Sequence, residues 1–593
     1  MFQSFEAQSS PDQGPPRLRA LRSEMAQRGF DAFLVPRADA HQGEYVAPRD
    51  ARLEWLTGFS GSAGFCAVLA DVAGVFIDGR YRVQVQAQVA ADFTPVHWPE
   101  TQLADWLPSH LKAGVLAYDP WLHTVTEVAG LRRDLPDFTL TATENLVDVI
   151  WRDQPPAPTA PFTAHALEHA GEAHAKKRAR LAADMKQDVA VLTLPDSIAW
   201  LLNIRGTDIA RNPVPQAFAV LHKSGVVDLF AGPGKADDIQ DHLGPDIAAH
   251  PISGFLAALK KLAGSALIDA RTCPDIVATT LADAGCDVVE GKDPCILPKA
   301  CKNNVEIAGA KAAHTRDAVA MVRFLAWLDA QAPDAGLTEI DVVKALEGFR
   351  MQTNALRDIS FETICGAGPN GAIVHYRVSE DTNRPLASGE LLLVDSGGQY
   401  IDGTTDITRT MAIGRPTAEH RRCYTRVLQG MIAISRIRFP QGVGGQHLDA
   451  LARAPLWLAG QDYDHGTGHG VGSYLSVHEG PQGISRRSEV ALQQGMILSN
   501  EPGYYREGAF GIRIENLIVV VDAPALEGAD DRKMRAFETL THVPFDRRLI
   551  DIGLLSTAER DWIDRYHVDT LQLLEPRLAE SDFAWLTKAC APL

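Results

Sequence analysis

Between Leu391 and Asp406 the chain reads LLLVDSGGQYIDGTTD, and this stretch constrains the fold more than any other. Leu391 to Val394 form an apolar run of the length of a short buried strand, and the run ends on a carboxylate, Asp395, followed at once by Ser396, Gly397 and Gly398. The chain reverses through the glycine pair, restarts at Tyr400 and Ile401, and presents a second acid, Asp406, with Thr404, Thr405 and Thr408 close by. Two carboxylates on neighbouring strands are thereby set to face each other. A strand-end Asp beside glycine is by itself a common turn former, so the rest of the chain must decide between the two readings.

At 593 residues the chain exceeds what one core supports, and about three domains are expected. Lys and Arg number 57 against 75 Asp and Glu, a formal net charge of −18. An acidic surface repels nucleic acid and anionic membranes, so a peptide or small-molecule substrate fits better than either. The N-terminal stretch lacks an apolar region behind a basic start, and no uninterrupted apolar run reaches spanning length, so a soluble, cytoplasmic protein is expected. Cysteines at 66, 273, 286, 295, 301, 365, 423 and 590 show no CxxC spacing, which points to reduced thiols.

Residues 1–15 are polar and Pro-rich and read as a disordered tail. A first α/β domain is expected over 16–152: a helix from Leu18 to Gly29, then strands at Asp31–Pro36, Gly64–Leu69, Gly74–Ile77 and Val115–Tyr118. Asp153 to Pro158 form a proline-rich linker. A second α/β domain over 160–298 repeats parts of the first, since Asp188–Leu192 resembles Asp31–Pro36 and Trp200–Gly206 resembles Trp55–Phe59, which suggests a duplication. The third domain, 302–593, opens on a capping box at Asn303 and Glu306 before a long helix with Val319, Val322, Leu325 and Leu328 on its apolar positions; a second cap stands at Thr338 and Asp341. From about residue 546 a helical tail, capped at Ser556 and Glu559, reads as a packing or oligomer element.

Three features join the Asp pair. His469 sits in HGTGHGVG, where glycines let the backbone bend tightly and leave the imidazole unobstructed. Glu501 ends the apolar run Met496–Asn500 and is stopped by Pro502-Gly503, and Glu515 lies in GIRIEN, where alternation puts Arg513 and Glu515 on one face of a strand. Any one of these has a structural explanation. Together they set four carboxylates into apolar strands, where their charge must be compensated, and two divalent cations would cancel it. A mostly oxygen set with one imidazole suits Mn(II) and, less selectively, Co(II) or Zn(II). Two such ions about 3.5–4 Å apart ionise a bridging water at neutral pH. The hydroxide would attack a scissile carbonyl, Glu501 would shuttle the proton to the leaving nitrogen, and Arg513 would support Glu515.

Asp395, Asp406, His469, Glu501 and Glu515, with their DGTTD, GTGHGVG, NEPG and GIRIEN surroundings, resemble the metallopeptidases of the pita-bread fold. GPNGAIVHY at 368–376, VHEGP at 477–481, DAHQGEY at 39–45, SGSAG at 60–64 and DGRY at 78–81 are similar to the long, three-domain cytosolic branch of the Xaa-Pro aminopeptidases, or aminopeptidases P. The resemblance implies an α/β (α+β) architecture, two creatinase-like domains before a pita-bread catalytic domain, and a two-metal, Mn(II)-dependent exopeptidase. It would remove the N-terminal residue when proline is second, and would be a homodimer. It further implies that His375, His465 and His478 line the site and bind the peptide and its tetrahedral intermediate. Asp464 departs from the glycine expected before His465, and an adjacent acid favours the protonated imidazole. The rival readings are a prolidase, restricted to dipeptides, and a non-catalytic peptide-binding member of the fold, which would have lost ligands that this chain retains.

Overall fold

A computed structural model describes residues 1–7, 9–332, 334 and 336–593. They fall into two compact units, Gln8–Ile296 and Leu297–Leu593, the latter joined by Met1–Ala7. Among the described residues no helix is long and apolar enough to cross a membrane.

The unit Gln8–Ile296 holds two six-stranded sheets of one construction. In chain order the strands of the first are Ala32–Pro36, Phe65–Leu69, Ala73–Ile77, Thr94–His97, Gly114–Tyr118 and Phe138–Ala142; those of the second are Val189–Leu192, Ala217–His222, Val227–Ala231, Ile247–Pro251, Ser265–Ile268 and Asp287–Glu290. Both sheets run 4-3-2-1-5-6. In both, the 1–2 and 2–3 pairs are antiparallel and the 3–4, 1–5 and 5–6 pairs parallel. Agreement in order and direction at every pair supports the duplication suggested by the sequence. Strand Ala32–Pro36 is apolar at successive positions because both faces are covered: Phe33 and Val35 pack with Leu18, Leu21 and Met25 of the first helix, Ala32 and Leu34 with Trp106 and Leu107.

In the other unit the helices Asn304–Gln331 and Glu339–Met351 both open on the capping boxes read from the sequence. Val322, Leu325 and Leu328 of the first share one core with Val342, Val343 and Leu346 of the second and with Leu392, Leu393 and Val394. Burying side chains of this kind stabilises by about 1.5–3 kcal/mol each. That surplus lets the same strand, Leu391–Ser396, carry Asp395 into the interior. This strand is central, with antiparallel neighbours Ile364–Ala367 and Ile407–Ala412. A six-stranded sheet brings Asn516–Asp522, Ile497–Asn500, Gly468–Gly470 and Glu479–Ile484 side by side. Helices Ala418–Arg436 and Gln446–Trp457 cover it through Ile434, Leu448 and Ala452, which pack on Ile484, Leu498 and Ile518.

Two expectations need correction. Residues 1–7 and 9–15 do not form the disordered tail expected over 1–15. The Phe2 amide donates to Glu347 Oε1 (2.6 Å), the Gln3 side-chain carbonyl accepts from the Thr363 amide (2.9 Å), and Phe5, 8 % exposed, joins the core of the Leu297–Leu593 unit. The first helix starts at Gly14, four residues before the expected Leu18, because Pro15 and Pro16 occupy its first turn, where a missing N–H is harmless. Average composition hid the two phenylalanines.

Candidate metal centre

Asp395 is 7 % exposed near the end of its strand. Its Oδ2 accepts from Arg513 Nη2 (2.6 Å) and Nε (3.2 Å), while Oδ1 has no hydrogen-bond partner. Asp406, 4 % exposed, immediately precedes the neighbouring strand, also with Oδ1 unpartnered. Glu515 is 1 % exposed; Thr408 Oγ1 donates to its Oε2 (2.8 Å), the Thr408 carbonyl accepts its amide (3.1 Å), and Oε1 has no partner.

His469 and Glu501 come from the six-stranded sheet. A side chain at Gly468 would put Cβ 2.0 Å from the Ser499 carbonyl oxygen, so glycine is what lets the histidine strand lie against Ile497–Asn500. The His469 amide donates to Ser499 Oγ (2.9 Å), which in turn donates to Glu501 Oε1 (3.2 Å). The Glu501 amide donates to the Thr467 carbonyl (2.8 Å). His469 Nδ1 lies 2.9 Å from the Gly470 carbonyl, which places a proton there, and Nε2 lies 3.6 Å from Asp406 Oδ2 and 3.5 Å from Glu501 Oε1. Ligand-type atoms of Asp406, His469 and Glu515 all lie within 4.8 Å of one another.

The electrostatics test whether these residues fit a metal. Burial, reinforced by neighbouring acids, raises the Asp395, Glu501 and Glu515 carboxyls above their ordinary range, against the opposing pull of Arg513 on Asp395 and of His469 and Arg513 on Glu501. Burial works against a charged His469, yet the Asp406 hydrogen bond and the charge of Glu501 push it up to about 9. Such a cluster retains protons unless cations replace them. Three buried, donor-less carboxylate oxygens, one imidazole Nε2 whose proton a cation can replace and a surplus of acid over base therefore fit divalent metal ions.

Arg513 does not pair directly with Glu515, as the strand alternation led us to expect; it pairs with Asp395 and reaches Glu515 only through Thr408, whose Oγ1 accepts from Arg513 Nε (3.4 Å) and donates to Glu515 Oε2 (2.8 Å). The strand breaks between the two residues: Phe510–Arg513 forms a hairpin with Gly503–Arg506, whereas Asn516–Asp522 belongs to the six-stranded sheet. Alternation counted across that crossing fails.

Of the three expected lining histidines, His478 stands edge-on to His469, ring centroids 4.2 Å apart. His375 is half-buried beside Val374, whose carbonyl accepts from Arg513 Nη2 (3.3 Å), and beside Tyr376, whose hydroxyl donates to Glu339 (3.0 Å). His465 Nε2 lies 2.8 Å from Tyr505 Oη, and that oxygen accepts from Arg513 Nη1 (2.6 Å). His465 Nδ1 lies 2.8 Å from the Gly466 carbonyl, so it carries a proton. Asp464 is exposed. Buried Arg453, paired with Asp449 (2.8 Å), grips the His465 carbonyl (2.7 Å) from behind. Sequence reasoning missed Tyr505 and Ser499 and set Thr408 near the Asp pair without a role; for Tyr505 the only hint was its proximity to Glu501 in the chain.

The profile of metallopeptidase family M24 matches residues 308–522, and that of the C-terminal region of peptidase M24 matches 533–593. Two Creatinase/Prolidase N-terminal domain profiles match 17–150 and 153–306. The chain belongs to metallopeptidase family M24. Aminopeptidase P1 of Lotus japonicus is 37% identical to it, over 97% of this chain and 99% of that protein. The structure of X-prolyl aminopeptidase from Caenorhabditis elegans, described as a cytosolic enzyme with a di-nuclear active site, matches with a TM-score of 0.91 at 32% identity, covering 98% of this chain and 99% of that one. Full-length similarity of this kind sets the chain, within its family, among the Xaa-Pro aminopeptidases. Xaa-Pro dipeptidase from Bacillus anthracis shares the fold over 63% of this chain, at a TM-score of 0.51 and 24% identity.

Proposed function

We propose that this chain is a metal-dependent aminopeptidase that releases the N-terminal residue from peptides with proline in second position. The observation that carries the reading is the cluster of Asp406, His469 and Glu515, with Glu501 Oε1 3.5 Å from His469 Nε2, Asp395 close enough to feel the charges of Asp406 and Glu501, and three carboxylate oxygens left without donors. These five residues would hold two divalent cations, Mn(II) by preference. When bound, the ions would neutralise the carboxylates, polarise the scissile carbonyl and lower the pKa of a water.

The chain's own residues do the rest. Glu501, anchored through Ser499 to the His469 backbone, takes the proton of the attacking water and delivers it to the leaving nitrogen. His478 and His375 present N–H groups to the carbonyl oxygen as it gains charge. Arg513 fixes Asp395 and, through Tyr505, orients His465 toward the peptide. Selection for proline follows if the leaving-residue pocket requires fixed φ and no N–H, which only proline supplies. The same reading includes a cytoplasmic setting and a homodimer. Trp457, 44 % exposed, and Leu458, 91 % exposed, offer apolar surface for the contact. Cleavage of Arg-Pro-Pro against Gly-Pro tests the activity: release of arginine supports it, and turnover confined to the dipeptide would make the protein a prolidase.

A further inference from the structure

Directly behind His478 lies a buried ionic trio. The Glu479 side chain is fully enclosed, and each carboxylate oxygen takes one lysine: Lys299 Nζ donates to Oε2 at 2.8 Å and Lys302 Nζ to Oε1. Both lysine side chains are buried, at 2 % and 1 % exposure. Lys299 lies in the short helix Ile296–Ala300, and Lys302 just before the cap of the long helix Asn304–Gln331. The Lys302 amide donates to the Gly495 carbonyl (3.1 Å), which pins this segment beside the sheet.

Stability alone does not explain the trio. Removing three charges from water carries a desolvation penalty that two ion pairs seldom exceed, and apolar residues of similar volume commonly do as well or better. Position does explain it. Val477 and Glu479 are buried while His478 between them is half-exposed, the alternation of an extended segment that sends Glu479 to one side and His478 to the other. Glu479 is in register with Gly470, the residue after His469, and its carbonyl oxygen comes so close that a Cβ at 470 would sit 2.4 Å from it. Whatever fixes Glu479 therefore fixes how His478 meets His469.

We propose that Lys299, Lys302 and Glu479 are positioning residues for the reaction, a buried clamp that holds His478 in place against the metal-site histidine. The proposal rests on the site reading given above. A ring displaced by about 1 Å in a preorganised site lowers rate by up to about 10²-fold.

The test uses Lys302→Met, which leaves Glu479 paired with Lys299. Arg-Pro-Pro cleavage, bound metal and melting temperature are measured on the metal-loaded full chain, with the substitution in the wild-type and in the His478→Ala background. The expected result is a kcat at least about tenfold lower, KM within about twofold and unchanged metal in the wild-type background, but less than about a twofold effect when His478 is already gone. An unchanged kcat, an equal loss in both backgrounds, or metal lost in step with activity would overturn the clamp. Lys299→Met repeats the test with Lys302 holding Glu479, and failure of both variants to fold would make the trio a stability element instead. If the wild type itself left Arg-Pro-Pro intact, the assigned function would fall, and the clamp with it.

Discussion

Oδ1 of Asp395, Oδ1 of Asp406 and Oε1 of Glu515 are buried oxygens with no donor, and each such group destabilises by about 1–3 kcal/mol unless a partner arrives. Asp406→Asn and Glu515→Gln each remove one charge at nearly constant volume, so both variants should fold, bind less metal and lose activity; near-wild-type turnover with full metal content would remove these residues from the ligand set. His478 stands edge-on to His469, and His375 is proposed to face the same set. Alanine at either should lower kcat by about 10²-fold with metal content preserved. Metal falling with activity would make them ligands. Most of these positions were legible because strand ends, glycines and acids are local signals. The partner of Arg513 was not, because Ile514 and Glu515 form a crossing between two sheets, which no alternation count can show. Tyr505, which links Arg513 to His465, was equally hidden, since its contacts are made across a hairpin and to a loop forty positions earlier in the chain.

Elements whose ends carry side-chain caps were read correctly: the boxes at Asn303, Thr338 and Ser556 all form. The tail helix Thr557–Leu574 packs on its own unit, with Ile563, Tyr566 and Leu574 buried in its cores, so most of its apolar area is already covered. His567 on this helix is fully buried and accepts from the Phe545 amide (3.3 Å). Burial first, then the charges of Arg547 and Arg409, lower its pKa from 6.5 to about 3. Between those values the unfolded chain binds the extra proton. The stabilising contribution is therefore complete above pH 6.5 and is lost as pH falls toward 3, by about 1.4 kcal/mol per pH unit. His567→Gln keeps an acceptor and cannot titrate. Its urea midpoint should fall less steeply than that of the wild type between pH 6.5 and pH 4, and equal slopes would show that His567 is not the titrating group.

At the scale of the whole molecule the two sheets of the first unit show how far repetition could be read. Two short segment matches pointed to a duplication, and the shared 4-3-2-1-5-6 order bears it out. Strand order itself was beyond reach, because it depends on pairings between distant segments. Assembly is open to measurement: light scattering should give twice the chain mass of 64.4 kDa, and a single mass would contradict the homodimer. The central claim is a metal-loaded site that opens the bond before proline. The chelated protein should leave Arg-Pro-Pro and Arg-Ala-Pro intact. After addition of Mn(II), mass spectrometry should show arginine released from Arg-Pro-Pro alone. Release before metal is added, or equal release from both peptides, would contradict the account.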